Sequence, residues 1–238
     1  MRVKDAWPVS TPAPLLFVRL LGVVLLASVG WAVENYGVRG YFAVLLASAL
    51  LFGASSGWKV ETSGRELELA YGFGLFKLRT GEILELSNVG GLKLGRLWKD
   101  LAGSLIIPLF FLAFSAILFG VRGALVVPFV LYWVILEVIL LAYPLRTLKE
   151  RTGRLMVLAL LLPWALSVPL GGTGEPFPWM GLAFFTSLMG FWFVVSFVTI
   201  DYVLIVGERG RFVIGCHSAG KVMALLEVGK DEPQADLS

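Results

Sequence analysis

The sequence is poor in the residues that soluble enzymes rely on. Its 238 residues include one cysteine, Cys216, and one histidine, His217. A single thiol excludes an intramolecular disulfide framework, and a single imidazole excludes the multi-histidine zinc and haem sites of many membrane enzymes. Metal binding would have to rest on carboxylates, and no motif gathers them, so neither a metal nor a cofactor is expected. Charged residues make up only 16% of the chain, against about 25% in ordinary soluble domains. The formal net charge of +3 is too small to point to nucleic acid as a partner. Amides are scarce as well, with one glutamine (Gln234) and two asparagines (Asn35, Asn88), a pattern associated with thermophiles.

Apolar sequence, by contrast, is abundant: it accounts for 58% of the residues and lies in long runs. A bilayer core about 30 Å thick is crossed by around 20 apolar helical residues. Six runs of this kind occur, over residues 13–33, 41–57, 101–121, 124–145, 155–170 and 179–199. The first carries Arg19 and is followed by no small-residue cleavage site, so it reads as a retained span rather than a signal peptide. When the spans alternate across a bilayer, seventeen of the 20 Lys and Arg residues fall on one side. Arg39 and Arg122 fall on the other, and Arg19 lies inside the first span. The positive-inside rule then describes a multi-pass cell-membrane protein with both termini cytoplasmic. Trp7, Trp58, Trp98 and Tyr143 fall at the inner boundary and Trp31 and Trp179 at the outer one, where aromatic rings anchor helices. Two outer connections are short: Gly120-Val121-Arg122-Gly123 closes a helical hairpin, and residues 171–176 form a glycine-rich turn.

Two cytoplasmic segments change period. Arg65-Glu66-Leu67-Glu68-Leu69-Ala70-Tyr71 alternates, with Leu67, Leu69 and Tyr71 on one face, as a half-buried strand requires. Residues 76–79 and 83–86 repeat the alternation, and Ser63-Gly64, Gly72-Phe73-Gly74 and Thr80-Gly81 supply turns, giving a meander of about four short strands. Further on, Tyr202-Val203-Leu204-Ile205-Val206 and Arg211-Phe212-Val213-Ile214-Gly215 flank a turn at residues 207–210. After Ser218, a suitable N-cap, a short helix carries Val222, Leu225 and Leu226 on one face. A four-stranded sheet with one apolar face needs a cover, so the two segments are expected to form one domain with four spans inserted between them.

The strand-rich order ending in a helix resembles the bacterial pleckstrin-homology-like domains. The resemblance is carried by residues 58–89, from Val60-Glu61-Thr62 through Leu67 to Gly72, and by residues 202–228, through Arg211-Phe212-Val213-Ile214-Gly215. It implies a binding or scaffold module rather than a catalyst, and it designates no ligand.

The expected architecture is therefore a membrane all-α bundle of six transmembrane helices with a small cytoplasmic β-rich α+β domain built from two separated segments. Residues 1–57 form the N-terminal tail and two spans, 58–100 the β-meander, 101–199 four further spans, and 200–238 a hairpin, a helix and a tail. Within the bundle, Glu137 and Arg19 are candidates for a charged pair, read as a proton or cation relay or as a structural ion pair. The loop residues Arg146, Lys149, Arg151 and Arg154 are candidates for lipid head groups, or they simply set topology. Gly53-Ala54-Ser55-Ser56-Gly57 matches the Gly-x-Ser-x-Gly pattern of serine hydrolases, but it closes an apolar helix far in sequence from His217, so close helix packing explains it better. Cys216 and His217 alone make neither a zinc site nor a triad. Three classes follow: a non-catalytic scaffold or binding module at the inner membrane surface, a small transporter or channel using Glu137, and an intramembrane enzyme. The first is favoured. Its partners would be membrane lipids and a membrane protein or peptide at the β domain, with no nucleic acid.

Overall fold

A computed structural model describes residues 2–3, 6–63, 66–118, 126–167 and 176–231. The protein is mostly helical, with one antiparallel sheet. The expected tight loops at 120–123 and 171–175, and Gly64, lie outside the described residues.

The chain begins with two short strands, β1 (Arg2–Val3) and β2 (Ala6–Pro8), then enters α1 (Ala13–Ala27) and α2 (Val29–Ser55). Inside α2, Gly37 adopts φ 59° and ψ −145°, a region that only glycine occupies at little cost, and the helix kinks there. After the kink α2 runs back along α1, bringing Phe52 and Ser48 against Gly22. The strands β3 (Gly57–Ser63), β4 (Glu66–Tyr71) and β5 (Phe76–Asn88) follow. Next come α3 (Trp98–Leu118), α4 (Val127–Ala142), the short α5 (Leu145–Glu150), α6 (Thr152–Ser167) and α7 (Pro176–Val198). The strands β6 (Asp201–Gly207) and β7 (Gly210–Cys216) and helix α8 (Ala219–Asp231) complete the order.

Three helical stretches are long and apolar enough to cross a membrane: Val29–Ser55, Leu94–Phe114 and Trp179–Val198. Three shorter ones, Ala13–Ala27, Val127–Ala142 and Thr152–Ser167, are also apolar. Large apolar side chains stand exposed on these helices, among them Phe17, Phe42, Leu46, Val134, Leu161 and Phe184. Contiguous apolar surface of this kind is rare on proteins that live in water.

The sheet runs β1-β3-β4-β5-β6-β7-β2, so residues 57–88 and 201–216 form one sheet, with β5 paired to β6. Only three strands arise from the first segment, where the alternation suggests four. Thr80-Gly81 is not a turn but a bend inside the 13-residue β5. There the buried Thr80 hydroxyl accepts the Leu67 N–H at 3.1 Å, and Gly81, at φ 68°, turns the strand without ending it. The first half of β5 pairs with β4 and the second half with β6 (Leu69↔Leu78, Leu86↔Ile205).

The N-terminal residues, which the sequence suggests are only a tail, supply both outermost strands. β1 pairs with β3 (Val3↔Val60) and β2 with β7 (Ala6↔Cys216, Pro8↔Ile214). The chain from Val3 to Ala6 reaches at most about 11 Å. Seven strands laid flat would put β1 and β2 about 29 Å apart. The sheet therefore curls until its ends meet. At the seam a Cβ on Gly57 would lie 1.9 Å from the Pro8 carbonyl oxygen, so β3 must carry glycine there.

The interior of the curled sheet and the outer face of β6 and β7 are buried against different partners. The interior holds Val60, Leu67, Leu69, Val203, Ile205 and Ile214 and is covered by Val222 and Leu226 of α8. Leu225, expected on the same helix face, is exposed, because residues 219, 222 and 226 form the stripe that packs. The opposite face of β6 and β7, through Tyr202, Leu204 and Val213, joins the helical core of Trp133, Leu136, Phe193 and Phe197. That explains why β6 reads as an unbroken apolar run rather than an alternation.

Candidate functional site

The sheet and the helices meet around a cavity of about 340 Å³. That lies at the lower end of the range of about 300–1,000 Å³ typical of small-molecule sites. Polar side chains reach it from the chain leading into α1 (Thr11), from α1 (Arg19), from the end of α2 (Ser56), from α3 (Ser104) and from α7 (Ser196). Its aromatic wall comes from Trp7 of β2, Trp192, Phe193 and Phe197 of α7, and Tyr202 of β6.

Arg19 is the centre of the polar wall. It lies six residues into α1, about 9 Å from that helix's start, and is only 4% exposed. Its Nε donates to the Ser55 hydroxyl at 3.2 Å, one Nη donates to the Ser55 carbonyl at 2.8 Å, and the other donates to the Gly103 carbonyl. Ser55 is the last residue of α2, so the guanidinium satisfies a terminal carbonyl and faces the negative end of that helix. Gly103 is needed for this approach: a Cβ there would meet Arg19 Nη1 at 3.0 Å and Thr11 Oγ1 at 2.1 Å. No carboxylate forms an ion pair with Arg19 among the described residues. Nearby Tyr71 brings no counter-charge, because burial pushes its phenol above its ordinary range and its hydroxyl donates to the Ser10 carbonyl at 2.8 Å.

The two intramembrane candidates are not brought together. Arg19 is bound within the group formed by α1, α2 and α3, while Glu137 sits on α4, which packs on α3, α6 and α7. Glu137 Oε1 is buried and has no hydrogen-bond partner among the described residues. The Gly53–Gly57 motif has a structural use, since its Ser55 donates to the Phe52 carbonyl at 2.9 Å and receives Arg19.

The basic loop residues divide. Arg146 pairs with Glu150 at 3.5 Å within α5, and Lys149 pairs with Asp201 at the start of β6. Arg151 lies 5.9 Å from the Tyr143 ring centre, and Arg154 is exposed. Asp201 also accepts the Ala219 N–H at 3.0 Å, the capping role that the sequence suggests for Ser218. Burial alone would raise the Asp201 carboxyl, but the hydrogen bonds from Lys149 and the Ala219 N–H hold it below its ordinary value.

Cys216 is fully buried, and desolvation, reinforced by the Asp201 charge, pushes its thiol up to about 11. His217 sets its ring edge-on to Trp7 at 5.7 Å. Neither is arranged as a nucleophile and base. Among the described residues no three of His, Cys, Asp and Glu gather as a metal-ligand set.

Sequence reading missed most of the cavity. Ser55 and Gly103 lie 36 and 84 residues from Arg19, and the small-residue character of both was the only local signal. Trp7, assigned to the membrane boundary as an anchor, belongs to a strand and to the cavity wall. No protein-family model, no curated protein and no solved structure matches the chain.

Proposed function

We propose that this protein is a multi-pass membrane protein of six spans with both termini cytoplasmic. Its pleckstrin-homology-like sheet is held at the inner membrane surface as a non-catalytic binding module for membrane lipids, with a membrane protein or peptide as a further partner. The single observation that carries this reading is the cavity at the junction of sheet and helices, which combines one buried cation with an aromatic wall. A site made jointly by a sheet and apolar helices suits a ligand that is itself half polar and half apolar. Six spans are supported by the exposed apolar residues on the shorter helices α1, α4 and α6, and by the reversal at Gly37, which separates residues 13–33 from 41–57. The inner-surface reading rests on the concentration of Lys and Arg on the side of the sheet.

A transport reading is favoured by one feature, the buried and unpartnered Glu137 Oε1. It is the weaker of the two, because the residues lining the junction cavity do not include Glu137.

Cysteine labelling in sealed cells tests the orientation. Cys216 is buried, so the background is low. Tyr36→Cys, near the kink, should react with a membrane-impermeant maleimide from outside. Arg209→Cys, in the exposed β6–β7 turn, should react only after permeabilisation. The opposite pattern would reject the inner-surface reading.

A further inference from the structure

We propose that the junction cavity binds one anionic amphiphile, a carboxylate- or phosphate-headed lipid, with its head group on Arg19 and the start of its chain against the aromatic wall. The inference rests on the reading of the sheet as a lipid-binding module and specifies its ligand.

Charge is the first argument. A guanidinium is cationic at any biological pH. Burying a cation costs several kcal/mol unless other groups compensate, and a carboxylate is the usual compensation. Among the described residues Arg19 has only two backbone carbonyls and a hydroxyl. Those three bonds occupy three of its five N–H donors, leaving one N–H on each terminal nitrogen. A pair of donors on one planar group suits the two oxygens of a carboxylate or phosphate. Beside Arg19, Thr11, Ser104 and Ser196 line the cavity, and among the described residues no hydrogen bond within the protein takes up their hydroxyls. They are further donors for an anionic head.

Shape is the second argument, and it separates an amphiphile from a soluble anion. A bare phosphate needs no aromatic wall, whereas Trp7, Phe193, Phe197 and Tyr202 line this cavity. Trp192 both lines the cavity and stands 50% exposed on the outer surface of α7. An aromatic side chain shared by the cavity and the apolar surface of α7 is where the chain of an amphiphile would lie. Close packing explains Gly103 equally well at the head end, since any side chain there would collide with Thr11 and Arg19.

The test is native mass spectrometry of the full-length protein in a neutral detergent, titrated separately with dioleoyl phosphatidic acid, oleate, dioleoyl phosphatidylcholine and inorganic phosphate. One equivalent of phosphatidic acid or of oleate should bind saturably, about tenfold more tightly than phosphatidylcholine, as one charge-assisted hydrogen-bonded contact implies. Arg19→Gln should abolish that preference, and Arg19→Lys, which keeps the charge but loses the fork, should retain part of it. Ser196→Phe narrows the cavity and leaves Arg19 in place; it should weaken the anionic lipids by about tenfold or more, and it decides the matter should Arg19→Gln fail to fold. Equal binding of phosphatidylcholine, a preference that survives Arg19→Gln, or unchanged binding in Ser196→Phe would each overturn the proposal. So would inorganic phosphate that displaces the lipids at equal concentration, which would make the site one for a free anion. The cysteine labelling above involves no ligand, so a wrong orientation and a wrong ligand give different failures.

Discussion

Asp201 shows how one side chain can knit three elements together. It takes the Lys149 ammonium from α5, heads β6 and caps α8 through the Ala219 N–H. An N-cap removed to alanine costs about 0.5–2 kcal/mol, so Asp201→Ala, which also loses the Lys149 pair, should lower the apparent melting temperature in detergent by several degrees. Asp201→Asn, which keeps an acceptor for the cap, should cost less. The carboxyl is held below its ordinary value when folded. Its contribution is therefore present above the unfolded value of about 3.9 and is lost as pH falls through the folded value. The gap in melting temperature between the natural protein and Asp201→Ala should accordingly be constant near neutral pH and close in acid. A gap that widened on acidification would refute this account. At the same scale the structure separates Arg19 from Glu137, which their similar depth in two apolar runs suggests as partners: depth in a bundle can be read from sequence, but the azimuth of a side chain and the identity of the neighbouring helix cannot.

At the scale of elements, β2 is the least legible and among the most consequential. Three residues preceded by a proline-poor, weakly patterned stretch give no strand signal, yet they cover the exposed edge of β7 and meet β3 at Gly57. Unpaired strand edges are prone to slippage and association. Gly57→Ala should therefore be disproportionately harmful, costing more than about 2 kcal/mol because the added carbon meets backbone that has nowhere to move. Gly153→Ala, where nothing lies within 4 Å, is the control and should be neutral or slightly stabilising. Thermal unfolding in detergent and protease sensitivity at residues 1–12 would measure both, and equal effects of the two substitutions would contradict the seam. The bend in β5 belongs here too: Thr80-Gly81 carries genuine turn chemistry, but the hydrogen bond between Thr80 and Leu67 keeps the strand in the ladder.

At the scale of the whole molecule, the sheet is not an appendage. One hydrophobic core runs from α4, α6 and α7 into Tyr202, Leu204 and Val213, so β6 is buried on both faces. A water-soluble polypeptide joining residues 58–100 directly to 200–238 would expose that outer face and lack β1 and β2. It should fail to melt cooperatively by far-UV circular dichroism, while the full-length protein in detergent unfolds with its sheet and helices together. A cooperative melt of the short polypeptide would show that the sheet is independent of the helices.

Composition and run length alone determine that this chain is rich in apolar helix, alternation locates β4 and part of β5 because burial on one face imposes a local period, and the turn at 207–210 between two apolar runs locates β6 and β7. The joining of residues 57–88 to 201–216 in one sheet was also within reach, since each apolar face needs a cover. Closure of the sheet by residues 2–8, the double burial of β6 and the meeting of Arg19 with Ser55 and Gly103 were decided only by the tertiary structure. These contacts join residues tens to hundreds of positions apart. Nothing in the local pattern of a chain encodes which distant backbone carbonyl will receive a buried guanidinium.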